Sequence, residues 1–161
     1  MADTGRELFE HELRDIYDAE HKLINALEKM AKDASDEQLT QAFSEHRDVT
    51  KQQAERLERV FEMIDRAPRR EPCAGINGLI QEYQEFNKEE DPSDEVRDVF
   101  ATGAAAKVEH YEICSYKSLI KLATQLGLNE AVTLFQESLR EEEETAREID
   151  QMAEILGKKL S

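Results

Sequence analysis

"KVEHYEICSY", Lys107 to Tyr116, sets Glu109 and Glu112 into a run that otherwise has the spacing of a buried helix face. Ala105, Val108, Tyr116, Leu119 and Ala123 recur at helical intervals around them. A packed interior rejects unpaired charge. Either these carboxylates have a partner inside the fold or they lie outside it, and the remaining helices decide which.

Punctuation divides the chain into four long helices. The first opens at Thr4, with Glu7 completing a capping box, and runs to about Lys32. The second opens at Ser35, with Gln38 in the matching place, and stops before Pro68. The third begins near Ser93 or Asp94 and ends at Gly127. The fourth takes Asn129 as N-cap and ends near Gly157. The first two helices, and the last two, are joined by a few residues and must form antiparallel hairpins.

The middle connection is long. It contains "INGLIQEYQEF", with Ile76, Leu79, Ile80, Tyr83 and Phe86 at helical spacing, so a short fifth helix is expected. A 30-residue helix is about 45 Å long, and this crossover can reach about 55 Å. The predicted fold is therefore all-α: a single domain over residues 1–161, built as two hairpins joined by a long crossover, the connectivity of a ferritin-like four-helix bundle.

Each long helix carries a polar group on its apolar stripe. Glu20 sits between Ile16 and Leu23, and His46 between Phe43 and Val49. Glu142 falls within the stripe of Leu134, Phe135, Leu139, Ile149 and Met152, with Glu141 at its edge. Counting back from the turns, Glu112 and Glu142 lie within about 3 Å in height, and Glu20 and His46 differ by about one turn. Buried carboxylates at one level cannot all stay ionised without a cation. Carboxylates with imidazole suit iron or manganese better than structural zinc. In the bundle-core di-iron pattern two helices give one Glu each and two give Glu-x-x-His. Glu20 and Glu112 fit the first role, and His46 and Glu142 fit parts of the second.

Plainer readings compete. An inward His is commonly a satisfied core residue, an edge Glu can reach outward, and the run Glu141–Glu144 is mainly a solvated face. Lys107 is placed to neutralise a neighbour without metal. Tyr17, Tyr111 and Tyr116 read as core packing.

Composition narrows the function classes. The 161 residues carry a net charge of −16, which repels nucleic acid and anionic membranes. With 39% hydrophobic and 36% charged residues, the profile is that of amphipathic helices with wet outer faces. Cys73 and Cys114, the only cysteines, match no zinc spacing and are expected to be reduced. "MADTGRELFEHEL" lacks an apolar signal-peptide core, and no run of 18 apolar residues exists, so a cytoplasmic location is expected.

Five segments carry a resemblance: "HELRDIYDAEHKL", "EHRDVTKQQAERLERVFE", "CAGINGLIQE", "KVEHYEI" and "LREEEETA". Together, from about Glu7 to Leu156, they resemble the YciE/YciF-type ferritin-like stress proteins, relatives of the rubrerythrins. The resemblance implies a homodimeric di-metal carboxylate protein of bacterial stress response, with oxidation of Fe(II) by oxygen or peroxide as its chemistry. It places ligands for one or two iron ions, or manganese, on Glu20, His46, Glu109, Glu112 and the Glu141/Glu142 pair. It also implies a carboxylate where this chain has Val49, and the fuller di-iron motif has His where this chain has Thr145. The change at Val49 would empty one coordination corner, weaken the second metal or favour a single ion, and Thr145 leaves the site carboxylate-rich and histidine-poor. No Cys-rich rubredoxin-like segment is present, so peroxidase turnover would need an external reductant. The competing reading is a non-catalytic structural dimer with a hydrogen-bonded polar layer.

Overall fold

The computed structural model describes residues 4–160. It contains α1 (Gly5–Asp33), α2 (Glu37–Met63), α3 (Ala74–Glu89), α4 (Asp94–Gln125) and α5 (Asn129–Gly157), followed by a 3-10 turn at Lys158–Leu160. No strand occurs among the described residues, and the fold class is all-α as expected. The short fifth helix, α3, lies where "INGLIQEYQEF" placed it. The first three residues of the polar N-terminal segment lie outside the described residues.

Local chemistry sets the helix ends. The Thr4 hydroxyl accepts from the Glu7 amide at 3.2 Å, and the Glu7 carboxylate accepts from the Thr4 amide at 2.9 Å, as the capping box requires. Two caps differ from expectation. Asp36, not Ser35, caps α2, accepting from the amides of Gln38 and Leu39 at 3.0 and 3.2 Å. Ser35 is drawn away because its hydroxyl donates to Asp98 of α4 at 2.6 Å. At α5 the N-cap place falls on Leu128 with no side-chain cap, and Asn129 is already helical. The cause is the tight end of α4. Gly127 takes φ +72°, its amide donates to the Thr124 carbonyl at 3.1 Å, and the Leu128 amide donates to Ala123 at 2.9 Å. This Schellman closure leaves only Leu126, Gly127 and Leu128 between the helices.

α1 packs along α2, and α4 along α5; α1 also meets α4, and α2 meets α5. The Arg6 guanidinium donates to the Ile64 carbonyl at 3.2 Å, so α1 starts where α2 ends. Buried Asp98, in the first turns of α4, accepts from the amides of Ser35 and Asp36 at 3.0 and 2.9 Å, so α4 starts where α2 starts. Segment 65–93 must therefore return the chain along the length of α2, about 40 Å.

Asp18 of α1 anchors that return. It accepts from the Cys73 amide at 2.8 Å and pairs with Arg70 and Lys22 at 2.8 and 2.6 Å. Burial works against its charge, but these partners hold its carboxyl below the usual range. Cys73 caps α3, its sulfur accepting from the Ile76 amide. Cys73 and Cys114 are both free thiols. α3 then lies against α1 and α4, with the Phe86 ring stacked on Phe100 at 3.7 Å between centroids. The Tyr111 ring lies so close to Gly75 that any Cβ there would overlap it. Because α4 is covered by α1, α3 and α5, it is buried around much of its circumference, from Ala101 through Tyr116 to Ala123.

Replacing Asp98 by Ala strands two amides and a hydroxyl at the α1–α2 turn. The expected loss is about 2–3 kcal/mol in urea unfolding, partly recovered in Asp98→Asn, which keeps one acceptor oxygen.

Candidate metal centre

The inward polar groups of the long helices meet in the middle of the molecule. α2 contributes His46, α4 contributes Glu109 and Glu112 one turn apart, and α5 contributes Glu142. One ligand-capable atom from each of these four lies within 4.8 Å of all the others. The three glutamates are fully buried and His46 is 4% exposed. His46 Nε2 stands 3.3 Å from Glu109 Oε1 and 3.9 Å from Glu142 Oε2.

With every carboxyl ionised, proximity here does not amount to hydrogen bonding; only a proton retained between Glu109 and Glu142, or between Glu112 and Glu20, would make it so. Both carboxylate oxygens of Glu109, Glu112 and Glu142, and both ring nitrogens of His46, have no hydrogen-bond partner. Buried polar groups are nearly always paired, so eight ligand-capable atoms without a partner among the described residues are a feature that a cation would satisfy. Lys107 does not answer it: its ammonium pairs with Glu82 of α3 at 2.6 Å, out on the surface.

The electrostatics agree. The carboxyls of Glu109 and Glu112 are pushed well above the ordinary value, first by burial and next by the charge of Glu142. Burial pushes the His46 imidazole down, with Glu142 opposing, so the ring is an available neutral donor.

Glu20 stands beside this group. It is fully buried on α1, accepts a hydrogen bond from the Tyr116 hydroxyl, and keeps its second oxygen unpaired. Its carboxyl is also raised, by burial and then by Glu142. Tyr116, read from the sequence as packing, is thus a buried donor as well; burial and Glu20 push its hydroxyl well up, keeping it protonated.

Glu141 is not part of the cluster. It turns to Arg56 of α2, which donates to both of its oxygens at 2.6 and 2.7 Å, and Gln53 adds a contact at 3.2 Å. Arg56 was missed in the sequence reading. Its signal was available: it extends the inward polar series of His46, Thr50 and Gln53 by one more turn.

The donor set, three carboxylates and one imidazole, fits a hard divalent ion of the iron or manganese type. Glu20 keeps one more oxygen without a hydrogen-bond partner beside this set. Val49 and Thr145 put no charge on their side of the site.

Residues 4–160 match the family described as a domain of unknown function, DUF892. The chain belongs to the DUF892 family. Within the same similarity, Protein YciF of Escherichia coli (strain K12) is 42% identical over 151 residues, covering 93% of this chain and 90% of that protein. The crystal structure of the E. coli stress protein YciF superimposes with a TM-score of 0.91 at 40% identity, over 98% of this chain and 99% of that one. YcfI of Rhodopseudomonas palustris, for which a structural role has been suggested, gives 0.90 at 36% identity, over 92% and 94%. This DUF892 chain has no helix, among its described residues, long and apolar enough to cross a membrane.

The raised carboxyls make a pH prediction for metal-free protein. An unfolded Glu titrates near 4.3, and folding raises it, so the folded chain retains protons that the unfolded chain has released. Stability contributed this way is present below about 4.3 and is lost as pH rises towards the raised value. His46 acts oppositely, but only below about 6.5, where the unfolded ring charges. Chelator-treated protein is therefore expected to lose stability as pH rises above about 6.5. Glu112→Gln should flatten that slope and gain roughly 1–3 kcal/mol at its upper end, measured by denaturant unfolding.

Proposed function

We propose that this chain is a ferritin-like, single-domain four-helix protein whose core holds one or two iron or manganese ions, and that it oxidises Fe(II) with oxygen or peroxide in a bacterial stress response. The observation that carries the reading is the set of orphaned ligand atoms on His46, Glu109, Glu112 and Glu142. The pairing of α1 with α2 and α4, and of α5 with α4 and α2, supports the ferritin-like assignment. The stress role rests on similarity to the E. coli stress protein YciF.

His46, Glu109, Glu112 and Glu142 would hold the first ion, and Glu20 would contribute towards a second. A bound ion would supply one-electron redox chemistry and Lewis acidity. The chain's own part is to present hard anionic oxygens in a dry site, which favours the more highly charged ferric form over the ferrous. His46 is kept neutral by burial and so competes for no anion. Tyr116 orients Glu20 by donating to one of its oxygens. Arg56 retains Glu141 outside, limiting the negative charge at the centre.

The alternative is a non-catalytic structural protein, favoured by Val49, by the single inward His and by the role suggested for YcfI. Against a self-satisfied polar layer, no side chain from outside the group, among the described residues, donates to the oxygens of Glu109, Glu112 or Glu142. Anaerobic Fe(II) titration followed by air separates the readings. The expected outcome is micromolar binding, a ferric absorption change on exposure to air, and loss of both in Glu112→Ala. Binding unaffected by that substitution, or none at all, points to the structural protein. The homodimer belongs to the same proposal, with sedimentation at twice the chain mass as its expected result.

A further inference from the structure

A cavity of about 180 Å³ opens between α2 and α5. Its inner wall includes His46, which is 4% exposed and has neither ring nitrogen hydrogen-bonded. The same imidazole belongs to the buried ligand group, so the cavity connects solvent with the centre through a shared side chain. Val49 and Thr145 line it, and their short side chains leave the gap.

The mouth is of one sign. Glu141, Glu144 and Glu148 stand at i, i+3 and i+7 on α5, a single stripe facing α2, and Glu45 faces them from α2. Glu141 is neutralised by Arg56, and Glu45 accepts from Gln41. Glu144 and Glu148 are exposed and carry no ion pair among the described residues. The groove on the other side of α5 is different. Lys117 and Arg147 lie among its walls, and no member of the ligand group lines it.

We propose that the α2–α5 cavity is the entry port for hydrated divalent cations, with Glu144 and Glu148 drawing the ion in and His46 receiving it at the inner end. The port rests on the metal-centre reading above and deepens it. A cleft lined by one sign of charge raises the local concentration of the opposite ion and speeds association. His46, buried on its inner wall with neither ring nitrogen hydrogen-bonded among the described residues, is a stop at which water ligands can be exchanged before the carboxylates engage.

Co(II) is a suitable probe, since its visible absorption reports ligation and needs no oxidation. Stopped-flow uptake by the intact chain is compared for wild type, Glu144→Gln/Glu148→Gln, and Asp150→Asn from the opposite groove. The double variant is expected to take up Co(II) roughly threefold to tenfold more slowly at low salt, with unchanged final stoichiometry. Added salt should slow wild type more than the double variant. Asp150→Asn should match wild type. Uptake at the wild-type rate in the double variant, or equal slowing in Asp150→Asn, overturns the port while leaving the centre in place. Absence of Co(II) binding at equilibrium overturns both.

Discussion

The central constraint is negative charge held in a dry interior. Glu109, Glu112 and Glu142 face one another and His46 from three helices, and no hydrogen-bond donor among the described residues satisfies their oxygens. Desolvating one carboxylate costs several kcal/mol, and grouping three multiplies the difficulty through mutual repulsion. The surrounding fold holds the group in place: the α1–α2 and α4–α5 hairpins supply the hydrophobic burial, and the centre draws on that stability. Such an arrangement makes sense where a cation is the missing partner.

Around that group the protein sorts its acids by what each one meets. Glu141 and Glu142 are neighbours in sequence, and about 100° of helix rotation separates them. That turn gives Glu142 the interior and Glu141 the Arg56 guanidinium. Glu20 receives the Tyr116 hydroxyl and stays half-satisfied. Asp18 and Asp98, also buried, are fully engaged in fixing the crossover and the first turn, and serve structure alone. Burial by itself therefore does not single out a candidate ligand; burial with unpaired oxygens does.

Much of the helix plan was legible because it is written in local spacing. The Thr4 box, the Ser93 cap and the Gly127 ending each involve residues within a few positions. Where a cap was misread, a distant residue had intervened or a turn had tightened: Asp98 drew off Ser35, and the closure at Gly127 left Asn129 one residue too late. Among site residues, the inward pointing of Glu20, His46, Glu109, Glu112 and Glu142 followed from the helical period. The fate of Glu141 did not, since edge positions are decided by whatever lies across the interface.

Sequence alone determined that this chain makes long amphipathic helices and that each places a polar group on its inner stripe, because periodicity is a property of a single helix. Tertiary structure decided which of those groups meet. Glu20 turns one oxygen to Tyr116, Glu141 leaves for Arg56, and Lys107 is lost to Glu82. Those choices depend on distances between helices far apart in the chain, which no local pattern encodes.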